Sequence, residues 1–235
     1  MKRTIRILHL YPELLDYYGD GGNLLTLSKR LREMGHEVSC DSLELGEERD
    51  FSSYDVILVG AGKTRNLAAA LQDAAKRRDD LASAVQSGCM VLATGTGMLL
   101  LGTGLQMGEE WIPGTGLFDY KGIETGRVSV SDCIVRLAES DLPPCYGFVN
   151  QTVRMEYAVR PNLFDVISGE TGQDGAEGMT RGNCFATTLL GPLLAKNPDF
   201  TRRLLERLLG EDFASYDDAL AYRAYERTMA EFSNL

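Results

Sequence analysis

The sequence predicts an α/β fold built on a mostly parallel sheet, and two observations support this. In the first 40 residues an apolar stretch, a run of leucines at helical spacing and a second β-type stretch follow one another, as in a strand–helix–strand unit. Around residue 95 a short apolar run turns on alternating small residues and continues as helix-forming residues. This second pattern is typical of a strand that turns sharply into a helix.

The first predicted strand, Ile5–Tyr11, is apolar and contains His9, for which we expect a structural role. Asn23 is placed to cap the helix that follows, and Gly35 is placed to end it. Residues 36–40 begin a second strand. This order predicts that the first two strands lie parallel in one sheet.

A glycine-rich loop, residues 60–64, ends the third predicted strand, Tyr54–Val59. The loop lacks the GxxxxGK[ST] spacing of a phosphate-binding loop, although its composition is similar. A glycine-rich turn at the carboxyl end of a strand can also present backbone N–H groups to an anion or an oxyanion. We therefore predict that Gly60, Ala61 and Gly62 belong to a candidate site, with a helix over residues 66–84 behind them.

The turn within Cys89–Gly102 is the stretch around which the chain is organised. Gly95 and Gly97 permit positive φ and close backbone approach. In many α/β enzymes such a turn holds one reactive side chain at the tip of the sheet, but the tip position here is Gly95, which has no side chain. We predict that Thr94, Thr96 and Gly97 help to form a pocket. The alternative is an ordinary tight turn that never held a reactive group.

The second half of the chain mixes short β-type runs with two helices. We predict a turn-rich link over Trp111–Leu117, β-type runs within residues 123–137 and 146–170, and a hairpin turn at Gly172–Gly175. A strand over Asn183–Leu190 follows, then a helix over 199–209 capped by Asp199, and a last helix over Tyr216–Phe232. We expect one domain, residues 1–235, in which residues 211–235 form a C-terminal helical extension. Its tyrosines suggest a docking surface, and they are Tyr216, Tyr222 and Tyr225.

Composition and charge argue against several classes of function. A net charge of −10 disfavours a nucleic-acid partner and an anionic membrane surface. No apolar run approaches the ~20 residues that span a bilayer, and the N-terminus is too short and charged for a signal peptide, so we expect a cytoplasmic protein without membrane insertion. Five scattered cysteines form no CxxC pair and no zinc pattern. We expect buried, reduced thiols, no metal and no cofactor. The two histidines, His9 and His36, leave the C-terminal half without a histidine base.

Five stretches in this order carry a resemblance to one family. They are YGDGGN at 18–23, the turn at Gly95, GFVNQ at 147–151, DGAEG at 174–178 and LGPLLAKNP at 190–198. Over most of residues 5–210 the chain resembles the cobyric-acid-synthase-type class I glutamine amidotransferases. Within them it is most similar to the branch that provides the glutaminase subunit of lipid II isoglutaminyl synthase. The resemblance implies a three-layer, flavodoxin-like sandwich with a mostly parallel central sheet, additional strands and C-terminal helices.

The resemblance also implies an activity. Members of the family hydrolyse glutamine with a cysteine thiolate at the turn and a histidine near the GPLL stretch, and backbone donors hold the oxyanion. They pass the ammonia to a partner, which is a Mur-ligase-like subunit in the lipid II case. Carried over to this chain, the cysteine position is Gly95 and the histidine position is Leu190. The Glu and His of a GFENHGG-like segment fall on Val149 and Gln151.

No other side chain is placed to substitute for the missing pair. Cys89 lies six positions before Gly95, which corresponds to about 20 Å along an extended strand. Cys184 lies equally far before Leu190. Thr94 and Thr96 flank the turn, but a threonine nucleophile needs a base and no histidine is placed to serve.

Three hypotheses remain open from the sequence. The first is a catalytically degenerate member that acts as a binding or partner subunit of a Mur-ligase-like or cobyric-acid-synthase-like amidating system. The second is a small-molecule-binding enzyme that uses the old cleft for other chemistry, with polar contacts from Asn150, Gln151 or Lys63. The third is an active glutaminase that supplies ammonia for amidation of lipid II or a corrin. The sequence identifies no ligand.

Overall fold

A computed structural model describes residues 2–232 of the chain. Its strands are β1 (Thr4–Leu10), β2 (Glu37–Leu43), β3 (Val56–Val59), β4 (Met90–Thr94), β5 (Gly104–Met107), β6 (Glu110–Pro113), β7 (Tyr120–Leu137), β8 (Cys145–Tyr157), β9 (Phe164–Ser168), β10 (Ala176–Glu177), β11 (Met179–Arg181) and β12 (Cys184–Thr187). Its α-helices are α1 (Gly21–Glu33), α2 (Thr64–Ala74), α3 (Arg78–Gln86), α4 (Leu193–Lys196), α5 (Pro198–Leu209) and α6 (Ala219–Phe232). Short 3₁₀ turns lie at Phe51–Ser53, Ala75–Arg77, Gly95–Leu100 and Gly210–Asp212.

The first sheet confirms the predicted α/β class. Its strand order is β11-β12-β4-β3-β1-β2, and all neighbours are parallel except β11 and β12. Thr187 of β12 is paired with Thr94 of β4, and Val59 of β3 is paired with Ala93. Because parallel strands end at the same edge of a sheet, the segments that follow β3, β4 and β12 meet there.

The side chains of β3 alternate between two cores, as the pleat of a strand requires. Ile57 and Val59 belong to a core with α2 and α3, and Val56 and Leu58 belong to a core with α1 and α5. Helices therefore cover both faces of the sheet, which gives the three layers that the family resemblance implies. The nearly continuous apolar sequence of β3 follows from this burial on both sides.

The second sheet accounts for the β-type runs in the second half of the chain. Its order is β10-β9-β7-β5-β6, and β8 pairs along the length of β7. The separate runs predicted within 123–137 form one strand, β7. The turn-rich link predicted over Trp111–Leu117 is wrong for its first three residues, because Glu110–Pro113 pairs antiparallel with β5 and buries Ile112, whereas residues 114–117 lie in no strand or helix. The hairpin turn at Gly172–Gly175 is confirmed, since Gln173 and Ala176 exchange backbone hydrogen bonds.

Several helix boundaries differ from the sequence prediction. The first helix begins at Gly21, so Asn23 lies in its first turn and does not cap it. The helix predicted over 66–84 is two helices, α2 and α3, joined by a 3₁₀ turn. Asp199 lies in the first turn of α5, where its carboxylate accepts a hydrogen bond from the Tyr222 hydroxyl instead of capping the helix. The strand predicted to reach Leu190 ends at Thr187.

The C-terminal helix α6 starts three residues later than predicted and buries none of its side chains fully. The tyrosines that suggested a docking surface face the body of the protein. Tyr222 donates to Asp199, Tyr225 donates to the Pro144 carbonyl, and Tyr216 lies between the guanidinium groups of Arg30 and Arg202. The predicted extension, 211–235, includes residues 233–235, which lie outside the described residues. Among residues 2–232, no helix combines the length and apolarity needed to cross a bilayer.

Candidate functional site

The turn after β4 keeps the geometry of a site without a reactive side chain. Gly95 has φ +55°, a left-handed conformation that glycine adopts freely and other residues adopt with strain. Its N–H donates to the Leu189 carbonyl at 3.1 Å. The chain continues as a short 3₁₀ helix, so the predicted strand-to-helix turn exists but its helix is short.

Leu190 covers the Cα of Gly95. A β-carbon added to Gly95 would lie far inside van der Waals contact of Leu190 Cδ2, and 2.7 Å from the Cβ of Ala61. Leu190 is 1% exposed, and its N–H donates to the Phe148 carbonyl at 2.9 Å. The two positions to which the resemblance assigns a thiol and an imidazole therefore form one packed apolar contact.

The glycine-rich loop after β3 directs two of its N–H groups into the protein. Ala61 N donates to Asp20 Oδ2 at 2.9 Å, and Gly62 N donates to Thr96 Oγ1 at 3.1 Å. Thr96 Oγ1 also donates to the Gly62 carbonyl at 3.0 Å. An oxyanion needs free donors at about 2.7–3.1 Å, and these two already have partners.

Asp20 joins four segments that are far apart in the sequence. Its carboxylate accepts hydrogen bonds from the Thr94 hydroxyl at 2.7 Å and from the Ala61 N–H, and Gly191 packs against the same group. Asp20 is 2% exposed. Burial raises its pKa, while the hydrogen bonds from Thr94, Ala61 and Gly191 act in the opposite direction. The Thr94 hydroxyl is thus committed to a buried carboxylate and is not presented to a pocket.

The YGDGGN and GPLLAKNP stretches also hold each other. The N–H of Leu194 donates to Asn23 Oδ1 at 2.9 Å. Asn197 accepts from the Tyr146 N–H at 2.8 Å and donates to the carbonyls of Tyr146 and Leu193 at 2.9 Å each. These motif residues therefore have structural roles in joining α1, α4 and the start of β8.

A pocket of about 160 Å³, which we call the elbow pocket, opens beside the turn. Four of the predicted pocket residues line it, and they are Gly62, Thr96, Asn150 and Gln151. The other four, Gly60, Ala61, Thr94 and Gly97, are buried and do not line it. The sequence analysis did not assign five further lining residues to the pocket, and they are Tyr17, Tyr18, Thr64, Val128 and Thr152. Tyr18 is the first residue of the YGDGGN stretch and Tyr17 precedes it, which was the available signal.

Lys63 is the cation of the elbow pocket. Its Nζ lies 4.9 Å from the centroid of the Tyr17 ring, and no carboxylate within residues 2–232 lies close enough to form an ion pair with it. The side chains of Asn150 and Gln151 likewise have no hydrogen-bond partner in the described part of the chain. The pocket therefore offers an ammonium group and two carboxamides to a ligand.

The cysteines and histidines form no catalytic pair in the described structure. Burial raises the pKa of Cys89 and Cys184 to about 12 each, which removes the thiolate at neutral pH. Burial lowers the pKa of His9, with Asp16 opposing the shift. His36 is buried, and its Nδ1 has no hydrogen-bond partner among the described residues. Within residues 2–232 no group of three or more His, Cys, Asp or Glu side chains could hold a metal ion.

Comparison with known proteins places this geometry in a family. A sequence model of the CobB/CobQ-like glutamine amidotransferase domain matches residues 6–198. The lipid II isoglutaminyl synthase (glutamine-hydrolyzing) subunit GatD of Streptococcus pneumoniae is 26% identical and covers 97% of this chain and 94% of that protein. The protein of the same name from Staphylococcus aureus is 29% identical, over 86% of this chain and 84% of its own. A crystal structure of a glutamine amidotransferase superposes with a TM-score of 0.53 at 16% identity, over 86% of this chain and 98% of that one, which supports the fold.

Proposed function

The chain belongs to the CobB/CobQ-like glutamine amidotransferase family, and from this premise we propose that it is a subunit that keeps the family fold without hydrolysing glutamine. The observation that carries the proposal is the contact between Leu190 and Gly95. A glutaminase of this type needs a thiolate to attack the side-chain amide and an imidazole to protonate the leaving ammonia. Gly95, with only a hydrogen atom as its side chain, cannot attack the amide, and the isobutyl group of Leu190 cannot transfer a proton.

The hydrogen bonding of the glycine-rich loop supports the same proposal. The N–H groups of Ala61 and Gly62 donate to Asp20 and Thr96, so they are not free to stabilise a tetrahedral intermediate. Removing one donor from an oxyanion hole typically costs about 10²–10³ in rate. In a catalytic unit of this kind, losing one member costs about as much as losing all of them. We therefore expect Gly95→Cys alone and Leu190→His alone to remain inactive.

We further propose that the chain works through a partner protein. Both curated relatives are named as subunits of a lipid II isoglutaminyl synthase. The partner that we propose is a Mur-ligase-like protein in cell-wall amidation, and a corrin-amidating system is the alternative. The hydrogen bonds of Asp20, Asn23 and Asn197 hold the fold together without the reactive pair, so a folded subunit does not require catalysis.

A glutaminase assay on the purified chain tests the central claim. Ammonia release from glutamine is measured with and without a Mur-ligase-like protein from the same organism, and the Streptococcus pneumoniae relative serves as the positive control. We expect release at the level of the buffer blank in both samples. Release clearly above the blank would restore the third hypothesis, an active glutaminase. Co-purification of the two proteins tests the partner separately.

A second candidate function is small-molecule binding in the elbow pocket. It is favoured by Lys63, Asn150 and Gln151, whose polar groups have no partners among residues 2–232. Thermal-shift measurements with glutamine, nucleotides and peptidoglycan fragments test it, with Asn150→Ala as the matched variant. A shift that Asn150→Ala abolishes supports binding in this pocket. The absence of any shift removes this candidate.

A further inference from the structure

The long strand β7 carries a bulge beside the elbow pocket. Its pairing with β8 stops at Glu124 and resumes at Ser129, so residues 125–128 stand opposite Thr152 alone. The Thr125 hydroxyl donates to the Thr152 carbonyl at 2.8 Å, and the Gly126 N–H donates to Glu124 Oε1 at 3.1 Å. Bulges next to sites redirect side chains, and these bonds show that this one is an ordered feature.

Glu124 anchors the bulge to the loop that leads into α2. Its Oε2 accepts hydrogen bonds from the hydroxyls of Thr64 and Thr152, at 2.9 Å each. Thr64 is the last residue of the glycine-rich loop and the first residue of α2. The Glu124 carboxylate is thus engaged on both oxygens by the protein itself. It is not the group that an incoming ligand would meet first.

A groove of about 450 Å³ runs under the bulge, and we call it the bulge groove. Its lining includes Arg127, Val128, Gln151, Arg154, Glu170 and Thr188. It shares Val128, Gln151 and Thr152 with the elbow pocket, so the two cavities adjoin. The volume of the bulge groove falls within the range of about 300–1,000 Å³ that is typical of ligand sites.

The charge of this surface is opposite to that of the whole chain. The chain carries a net charge of −10, yet the two adjoining cavities are lined by Lys63, Arg127 and Arg154 against Glu170 alone. Arg154 pairs with Glu156 at 2.8 Å. Lys63 and Arg127 have no ion-pair partner in the described residues, which leaves one unpaired cation in each cavity. Val128 is 65% exposed between them.

We propose that the bulge groove and the elbow pocket together bind an extended peptide segment that carries carboxylates. Arg127 and Lys63 hold two carboxylates, the carboxamides of Asn150 and Gln151 pair with peptide amides, and Val128 covers the segment. Charge complementarity selects an acidic occupant over a neutral one. The site uses neither Gly95 nor Leu190, so it stands independently of whether the chain hydrolyses glutamine.

Fluorescence anisotropy with labelled hexaglutamate and hexaglutamine tests this proposal on the full chain. We expect hexaglutamate to bind at least tenfold more tightly at low salt and to weaken as salt rises, because exposed charges are screened. Arg127→Gln is expected to weaken binding about fivefold, near the upper end for a partly exposed ion pair. Arg223→Gln, which removes the same charge from the exposed face of α6, is the matched control and should leave affinity unchanged.

Three results would overturn the proposal. They are equal binding of the two peptides, equal effects of Arg127→Gln and Arg223→Gln, and no binding of hexaglutamate at all. Thermal unfolding of both variants checks that they are folded, which is expected because both arginines are exposed. The anisotropy experiment measures peptide binding and the glutaminase assay measures ammonia release. A negative result in either experiment therefore does not affect the conclusion drawn from the other.

Discussion

Leu190 occupies the space into which a side chain at Gly95 would project. The two residues lie 95 positions apart, and backbone hydrogen bonds hold the segment that brings them together, from Gly95 to Leu189 and from Leu190 to Phe148. The contact is buried, since Leu190 is 1% exposed. The two positions therefore depend on each other sterically.

Gly95→Cys is expected to destabilise the fold by more than its backbone conformation alone explains. The left-handed φ should cost about 1–3 kcal/mol, and the clash with Leu190 should add about 1–3 kcal/mol. Gly108→Cys is the control, because Gly108 has a similar φ of +58° and nothing within 4 Å of an added β-carbon. Urea unfolding gives the two free energies. Equal losses would show that the clash relaxes without cost.

Leu190→Ala, made both in the wild type and in Gly95→Cys, completes a double-mutant cycle. Alone it should cost about 2–5 kcal/mol, as for other buried leucines. Combined with Gly95→Cys it should cost less than the sum of the two, by about 1–2 kcal/mol, because the alanine removes the obstructing Cδ2. Strict additivity would mean that the two side chains do not meet.

Asp20→Ala is expected to lower the free energy of unfolding by about 3 kcal/mol. The substitution leaves the buried Ala61 N–H without its partner, which costs about 1–3 kcal/mol, and it leaves the Thr94 hydroxyl only its longer 3.3 Å bond to the Val59 carbonyl. Asp80→Ala, at an exposed position in the first turn of α3, should cost less than about 1 kcal/mol. Urea unfolding measures both. Similar losses in the two variants would contradict the role of Asp20 in joining the loops.

Glu177 gives the protein a pH dependence of known sign. It is fully buried between three donors of Thr187 and Thr188, and burial raises its pKa above the ordinary 4.5. The folded state therefore binds more protons than the unfolded state between the two pKa values. This contribution to stability is present at low pH and is lost as pH rises from about 4.5 through the folded pKa.

Glu177→Gln removes that titration. Urea unfolding of both proteins across this pH range should give a difference in unfolding free energy that changes with pH. The wild type should lose stability relative to the variant as pH rises. A constant difference would show that Glu177 has the same pKa in both states.

The thiols are expected to divide into one reactive and four protected groups. Cys40 is exposed, whereas Cys89, Cys133, Cys145 and Cys184 are buried. Burial raises the pKa of Cys133 to about 11 and that of Cys145 to about 12, like the two thiols described above. A disulfide reagent at pH 8 should titrate one thiol per native chain and five after denaturation. Cys40→Ser should abolish the fast reaction, and a second fast thiol would contradict the described burial.

Local patterns predicted the parallel sheet and the Gly172–Gly175 hairpin, because both depend on nearby residues. In that hairpin Asp174 and Gly175 both have positive φ, as a two-residue turn between twisted strands requires. Patterns failed for β6 and for the full length of β7. Those strands are defined by pairing with β5, β8 and β9, and pairing between distant segments leaves no local periodicity.

The candidate site was accessible from the sequence only in part. Residues 60–62 are glycine-rich, which suggested free backbone donors. The structure instead gives the Ala61 N–H a partner 41 positions away, Asp20, and that distance hides the bond from any local pattern. The YGDGGN stretch is recognisable as a motif, but its amino-acid sequence does not distinguish a structural carboxylate from a catalytic one.

The buried carboxylate of Asp20 has a consequence for how such chains are recognised. Four segments converge on it, so a chain that lost this aspartate would have a less stable fold whatever its chemistry. Selection for a stable fold alone then favours keeping this residue of the YGDGGN stretch. The signature stretches in a sequence therefore indicate the fold. Whether the chain carries out the reaction depends on the residues at two positions, which here are Gly95 and Leu190.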